Sequence, residues 1–291
     1  MSLITAKVIA HSISPLGDEI VTFEVEQPKF LNAEVNTHRV FSRNGSSSRA
    51  IPVSSVIEQL NKTAYFPEDI RTNERGMQGF TSVSDAVKDE FVEDLHSLLA
   101  FTRKLATKWS DKDGMNIHKQ HVTRYLEPFM MQKFLITSTE VKNWFNLRMH
   151  EMAQPEIRLL AEAMMEAFKV STPKPLAYGE WHLPYVESYD KEFEGEYPDE
   201  ALISSGACAA ISYRNLPAIK LAKKISAKLL ADHHMSPFEH QATPLDPNSA
   251  LANANAGPFN ESHISIRLDG SLWGGNFHGW GQLRGIVEGG H

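Results

Sequence analysis

The sequence predicts an α+β fold, a mixed or antiparallel sheet flanked by long helices. Two observations carry this. Alternating, β-branched segments crowd the first fifty residues, and apolar residues at spacings of three and four dominate 84–168. At 291 residues, with 42 % hydrophobic and 22 % charged content, the chain is long enough for a sizeable core, and 1–291 reads as a single domain.

The elements follow in order. Ala6 to Ser12 is a first strand. Glu19 to Glu26 is a second, with Ile20, Thr22, Glu24 and Glu26 alternating against Val21, Phe23 and Val25, and Pro28 closing it. Thr37 to Ala50 is polar and reads as a loop. Pro52 precedes a short helix, with Ser54 or Ser55 as its cap and Val56, Ile57 and Leu60 as its apolar side. Gly76, Gly79 and Asn73 make 63–80 irregular. From Ser84 to Trp109, Val87, Phe91, Leu95, Leu98, Leu99 and Leu105 recur as the stripe of a long helix. Further helices are expected over 116–131, 139–150 and 154–168. The last has Ile157, Leu160, Ala161, Met164 and Phe168 on one face, its methionines as core filler. The stretch 172–199, rich in Pro, Tyr and acids, is a connector. A helix over 217–232, a loop over 246–260, a strand over 263–268 and a closing segment over 274–287 complete the chain.

Composition excludes several classes. A net charge of −7 argues against binding polymeric nucleic acid, so clustered arginines would serve one local anion. The single cysteine, Cys208, excludes an internal disulfide and a cysteine metal cage. No apolar run suits a bilayer, and M-S-L-I-T-A-K lacks a signal-peptide pattern, so a cytoplasmic protein is expected. There is neither G-x-G-x-x-G nor G-x-x-x-x-G-K-[ST].

Four segments carry chemistry. The first, T-H-R-V-F-S-R-N-G-S-S-S-R-A (37–50), sets His38, Arg39, Arg43 and Arg49 among serines and Asn44. It is either a solvated polar loop or a cradle for phosphate, since guanidinium forks beside hydroxyls match that anion. The second, N-W-F-N-L-R-M-H-E-M-A-Q-P-E-I-R (143–158), places Asn143, Asn146 or Leu147, His150 and Gln154 on one side of a helix. Its plain reading is a charged outer face. The third is R-Y-L-E-P, from Arg124 to Pro128. The fourth, H-M-S-P-F-E-H (234–240), has two histidines and a glutamate, but no H-E-x-x-H spacing and no third ligand, so no metal is assigned. Cys208, in G-A-C-A-A without a basic neighbour, reads as a core residue rather than a nucleophile.

The first segment resembles the R-H-R-x-x-S-x-N-x-x-S-x-R-Y signature of flavin-dependent thymidylate synthases. His38, Arg39, Ser42, Asn44, Ser47 and Arg49 fall in register. Asn143, Asn146, Leu147, Arg148, Ala153, Gln154, Glu156 and Ile157 follow that family's N-x-x-N-L-R and A-Q-x-E-I. Arg124 and Pro128 follow R-x-x-L-P more loosely, and 234–240 is similar to G-H-x-S-P-F-E-H. That last segment precedes the signature in typical members and follows it here, so the chain resembles a rearranged, phage-type relative with G-M-Q, H-K-Q, L-E-P-F and E-W-H-L-P-Y blocks.

The resemblance implies a fold of that family and a flavin-dependent methylation of dUMP at C5. FAD would be the cofactor, methylenetetrahydrofolate the carbon donor and NADPH a candidate reductant. It implies sites between subunits of a homotetramer. For the nucleotide it points to Ser47, Arg49, Arg124, Arg148 and Gln282. For FAD it points to His38, Arg39, Val40, Asn44, Asn143, Ser236 and Glu239. Arg148 would act at the base, and His234 would line the flavin and folate entrance. Arg284 follows Gln282 in the closing G-Q-L-R-G. No enzyme nucleophile is needed in such chemistry, in keeping with Cys208.

Departures are Thr37 for the first Arg, Gly45 for a Glu, Ala50 for the terminal Tyr, and Ala207 and Ala210 for two arginines of the phage-type relatives. They keep two alternatives open. One is a dUMP or dCMP hydroxymethylase, or a dCMP methylase, serving modified bases. The other is a non-catalytic nucleotide- or flavin-binding protein.

Overall fold

A computed structural model describes residues 3–76, 78–186, 199–212, 216–249 and 264–289. Its centre is a five-stranded sheet of order β3-β4-β2-β1-β5, built from β1 (Thr5–Ile13), β2 (Glu19–Pro28), β3 (Ser42–Gly45), β4 (Met131–Ser138) and β5 (Lys174–Pro175). All pairings are antiparallel except β1 with β5.

One face of the sheet carries α6 (Pro155–Val170). Gln154 precedes it in extended backbone and Pro155 opens its first turn, where a missing N–H costs nothing. Its Ile157, Leu160, Ala161 and Met164 are buried in the same cluster as Val21, Phe23, Val25 and Ile136 of the sheet. Each such large side chain contributes roughly 1.5–3 kcal/mol on burial. The other face carries α7 (Asp199–Ala209), whose Ala207 and Cys208 pack with Ile211 on Leu135 and Tyr185. In turn α7 lies against α8 (Ile219–Ala231). Gly206 is the point of contact, because a Cβ there would fall 2.1 Å from the Ala222 carbonyl oxygen.

The remaining helices are α1 (Asn32–Val35), α2 (Val53–Thr63), α3 (Asp85–Ser110), α4 (Lys119–Val122), α5 (Lys142–Arg148) and α9 (Leu283–Gly289). The Ser84 hydroxyl caps α3 by accepting from Val87 N–H. A two-stranded sheet pairs β6 (Ala242–Pro244) with β10 (Trp280–Gln282). A three-stranded one joins β7 (Ile264–Ile266), β8 (Leu272–Gly274) and β9 (Phe277–His278).

Several expectations change. The signature stretch is not all loop, because 42–45 forms strand β3. The helix expected over 116–131 reduces to α4 and two 3-10 turns, and Met131 opens strand β4. Pro128 breaks the helix, and β4 is buried on both faces, so it shows no alternation. The helix over 139–150 shortens to α5. Gln154 belongs to the start of α6 and shares no helix face with Asn143. Pro52, not Ser54 or Ser55, begins α2. Helix α7 was not expected at all. The apolar stripe of α3 is only partly core: Leu99 is buried, while Val87, Phe91 and Leu98 are about half exposed. The connector enters the fold through β5 and through His182, bridged to Ala242. Residues 187–198, Met77 of G-M-Q, most of the 246–260 loop, and His263 lie outside the described residues.

Candidate active site

Strand β3 is where remote parts of the chain meet. The buried Gln282 amide, from β10, donates to Ser42 Oγ at 3.0 Å, to Asn276 Oδ1 at 3.0 Å and to the Glu239 carbonyl at 3.0 Å. Asn276 also donates to the Val40 carbonyl at 3.0 Å. Arg284, from α9, is paired with the Glu239 carboxylate and with Glu288. These bonds tie the signature, the S-P-F-E turn and the closing segment into one wall.

At the start of β3, His38 is buried against Phe41 and Trp144, stacked on the first and edge-on to the second. Arg148 Nε donates to His38 Nε2 at 2.9 Å and Nη2 donates to Thr37 Oγ1 at 3.0 Å. Burial, then the charges of Arg148 and Arg43, push His38 down to about 4, so the ring is neutral at physiological pH and accepts from the guanidinium. Both partners of Arg148 are neutral, which leaves its charge uncompensated by them. Among the described residues no carboxylate pairs with Arg39 or Arg49 either, and both are exposed. In a chain of net charge −7, these unspent cations suit anionic ligands.

At the end of β3, Gln132 Nε2 donates to the Ser46 carbonyl at 2.7 Å, and Asn32 Nδ2 donates to Gln132 Oε1 at 2.7 Å. This amide and Phe134 occupy the space over Gly45, where a Cβ would lie 2.6 Å from Phe134 Cδ2 and 2.7 Å from Gln132 Nε2. Beyond Gly45, the Glu127 carboxylate accepts from Lys29, from Ser48 Oγ at 2.9 Å and from Arg124 Nη1 at 2.9 Å. Burial raises the Glu127 carboxyl, but these three donors more than offset it and hold it below the usual carboxylate range. A cleft of about 500 Å3, lined by Lys29, Ser46, Ser48, Ala50, Gln132 and Lys133 among others, opens beside them.

The Thy1 family, described as thymidylate synthase complementing protein, matches residues 3–174. The chain belongs to that family. A flavin-dependent thymidylate synthase from Aquifex aeolicus (strain VF5) is 29 % identical over 151 residues, 51 % of this chain and 45 % of that protein, so the chain spans about half the length of the curated relative. Among solved structures, UMP/dUMP methylase PolB from Streptomyces cacaoi bound with 5-Br UMP superposes with a TM-score of 0.48 at 17 % identity, covering 58 % of this chain and 90 % of that one. ThyX from Helicobacter pylori complexed with FAD and dUMP gives 0.38 at 14 % identity, covering 51 % and 67 %.

The Thy1 match ends at 174, so Asn276 and Gln282 reach Ser42 from outside it, with Glu239 and Arg284 behind them. Of the residues picked from sequence, His38 and Arg148 touch, as do Gln282 and the Glu239 backbone. Asn44 lies on the same strand, but its amide donates to the Cys208 carbonyl at 2.8 Å, which anchors the end of α7. Asn143 is exposed on α5, and Ser47 and Arg49 are exposed after β3, between the Ser46, Ser48 and Ala50 that line the cleft. Ser236 is half-buried in the S-P-F-E turn, and Arg124 reaches Glu127. His234 is exposed and among the described residues makes no side-chain bond to the signature, whereas His240 is fully buried on Thr137. The two histidines therefore cannot share an ion. Ala207, on α7, and Ala210, just after it, are buried, where an arginine would have no water.

Sequence reasoning missed Lys29 and Asn276. Lys29 sits in a turn with no motif around it. Asn276 lay in the G-G-N-F-H run, between two glycines and a strand, with nothing to point it at Ser42.

Proposed function

We propose that this Thy1-family chain is a flavin-dependent thymidylate synthase-type enzyme that methylates C5 of dUMP, with methylenetetrahydrofolate as carbon donor and NADPH as reductant. The observation that carries the reading is the convergence beside β3: Arg39 and Arg49, which among the described residues pair with no carboxylate, flank that strand in the chain, Arg148 from α5 bonds neutral His38 ahead of it, and Asn276 and Gln282 bond its Ser42. Guanidinium groups without carboxylate partners fit the phosphates of FAD and of a nucleotide.

Each residue then has a task. Ser47 and Arg49 hold the nucleotide phosphate, with Arg124 and Gln282 as further contacts. Arg148 orients the base, and its charge favours the negative charge that develops on the ring. Neutral His38 fixes the Arg148 guanidinium in place. His38, Arg39, Val40, Asn44, Asn143, Ser236 and Glu239 would surround FAD, with His234 at the entrance. When bound, reduced flavin would supply the electrons that a one-carbon unit gains on becoming a methyl group. Cys208 plays no part: burial pushes its thiol up to about 12, so it carries no thiolate for attack on C6.

One observation favours a second reading, a dUMP or dCMP hydroxymethylase or a dCMP methylase. Buried Ala207 and Ala210 stand where the phage-type pattern has two arginines, and Thr37 stands where the family signature has its first Arg, so these three positions carry no charge here. We place the sites between subunits of a homotetramer in the cytoplasm. The half-exposed stripe Val87, Phe91, Leu98 and Phe101 on α3 supports assembly.

Arg49→Ala tests the assignment. Losing a charge-assisted contact of roughly 1.5–3 kcal/mol should weaken dUMP binding about ten- to a hundredfold by calorimetry, with flavin content unchanged. Wild-type affinity in that variant would overturn it.

A further inference from the structure

We propose that Glu127 is a built-in competitor for the nucleotide phosphate, a carboxylate seated on the cations that the phosphate itself needs. The inference rests on the nucleotide reading above. Lys29, Ser48 and Arg124 converge on one carboxylate from three separate segments, the turn after β2, the stretch after β3 and the turn before β4. An ammonium, a hydroxyl and a guanidinium form the donor set a phosphate monoester takes, and a carboxylate presents two of the oxygens such an anion would present. Ser48 stands between Ser47 and Arg49, and Lys29 and Ser48 line the 500 Å3 cleft. Glu127 therefore occupies an anion seat two of whose donors, Lys29 and Ser48, also line that cleft.

The sequence adds an independent point. In R-Y-L-E-P, Glu127 occupies the place that is apolar in R-x-x-L-P and acidic in the L-E-P-F block of the phage-type relatives, so the competing charge goes with that branch. Of the seat's charges, Glu127 cancels one of two cations. A phosphate dianion entering with Glu127 in place meets a carboxylate at close range. To bind fully it must take over the donors and turn Glu127 outward, a motion open to a side chain that is one-fifth exposed. The consequence is affinity held below what the cations alone would give, and a seat that stays ordered without ligand.

The test compares Glu127→Gln and Glu127→Leu with the full-length wild type by titration with dUMP, deoxyuridine and inorganic phosphate. The Gln variant keeps the shape and still accepts from Lys29 and Ser48; the Leu variant removes the acceptor. Thermal melts establish that each is folded. Removing one partly screened like charge should tighten dUMP and inorganic phosphate roughly tenfold, with deoxyuridine unchanged. Unchanged or weaker phosphate and dUMP binding in both folded variants would overturn the proposal and mark Glu127 as a structural ion pair. Tighter inorganic phosphate with no dUMP binding in any form would leave the anion seat standing and refute the nucleotide reading.

Discussion

At the scale of single residues, the pairing of His38 with Arg148 shows how a neutral ring can position a cation. Arg148 is spent on neutral acceptors, so its charge is kept for a ligand. Gly45 makes the complementary point. Its small size looked like a lost glutamate, but the space is filled by the Phe134 ring and by a Gln132 amide locked on both sides. Gly45→Ala should therefore destabilise the fold by about 1–3 kcal/mol through overpacking, read as a lower urea midpoint. A variant as stable as wild type would show that Phe134 and Gln132 can yield. The signature residues were legible because their order is specific. Gln132 was not, because it is an ordinary polar residue in a strand whose role depends on what crosses it.

At the scale of elements, a polar chain crosses the middle of the sheet. Ser12 Oγ bonds His182 Nδ1 at 2.9 Å, His182 Nε2 bonds Thr22 Oγ1 at 2.8 Å, Thr22 bonds Thr137 at 2.7 Å, and Thr137 bonds His240 Nδ1 at 2.8 Å. It pins the connector and the S-P-F-E-H turn to β1, β2 and β4. Burial holds His182 and His240 near 3, against about 6.5 for an unfolded histidine. Between those values the unfolded chain binds protons that the folded chain refuses, so stability is full above pH 6.5 and falls as pH drops towards 3. Each histidine should remove roughly 2 kcal/mol on going from pH 7 to pH 5, at about 1.4 kcal/mol per unit. Urea melts at the two pH values check this, and equal midpoints would contradict it. Periodicity made β1, β2 and α6 legible. It failed for β4, whose two buried faces leave no alternation, and for α7, whose Ala, Ser and Gly residues carry little pattern.

At the scale of the whole molecule, the rearranged order of segments is reconciled by topology. Gln282 arrives at Ser42 from the far end of the sequence and bonds the Glu239 carbonyl, so one chain brings these dispersed segments together beside β3. The motif match announced which segments belong together; only three-dimensional pairing shows that β10 and the S-P-F-E turn stack beside β3. The exposed stripe of α3 belongs to this scale too. Light scattering should give the mass of four chains, and a monodisperse monomer would refute the tetramer. The central claim, flavin-dependent C5 methylation, is tested most directly by one assay. The purified protein is examined for flavin absorbance, then incubated with methylenetetrahydrofolate, NADPH and either dUMP or dCMP, and the product is weighed by mass spectrometry. The account predicts bound flavin and dUMP that has gained one methyl group. Bound flavin with both nucleotides returned unchanged would contradict it and leave a binding protein.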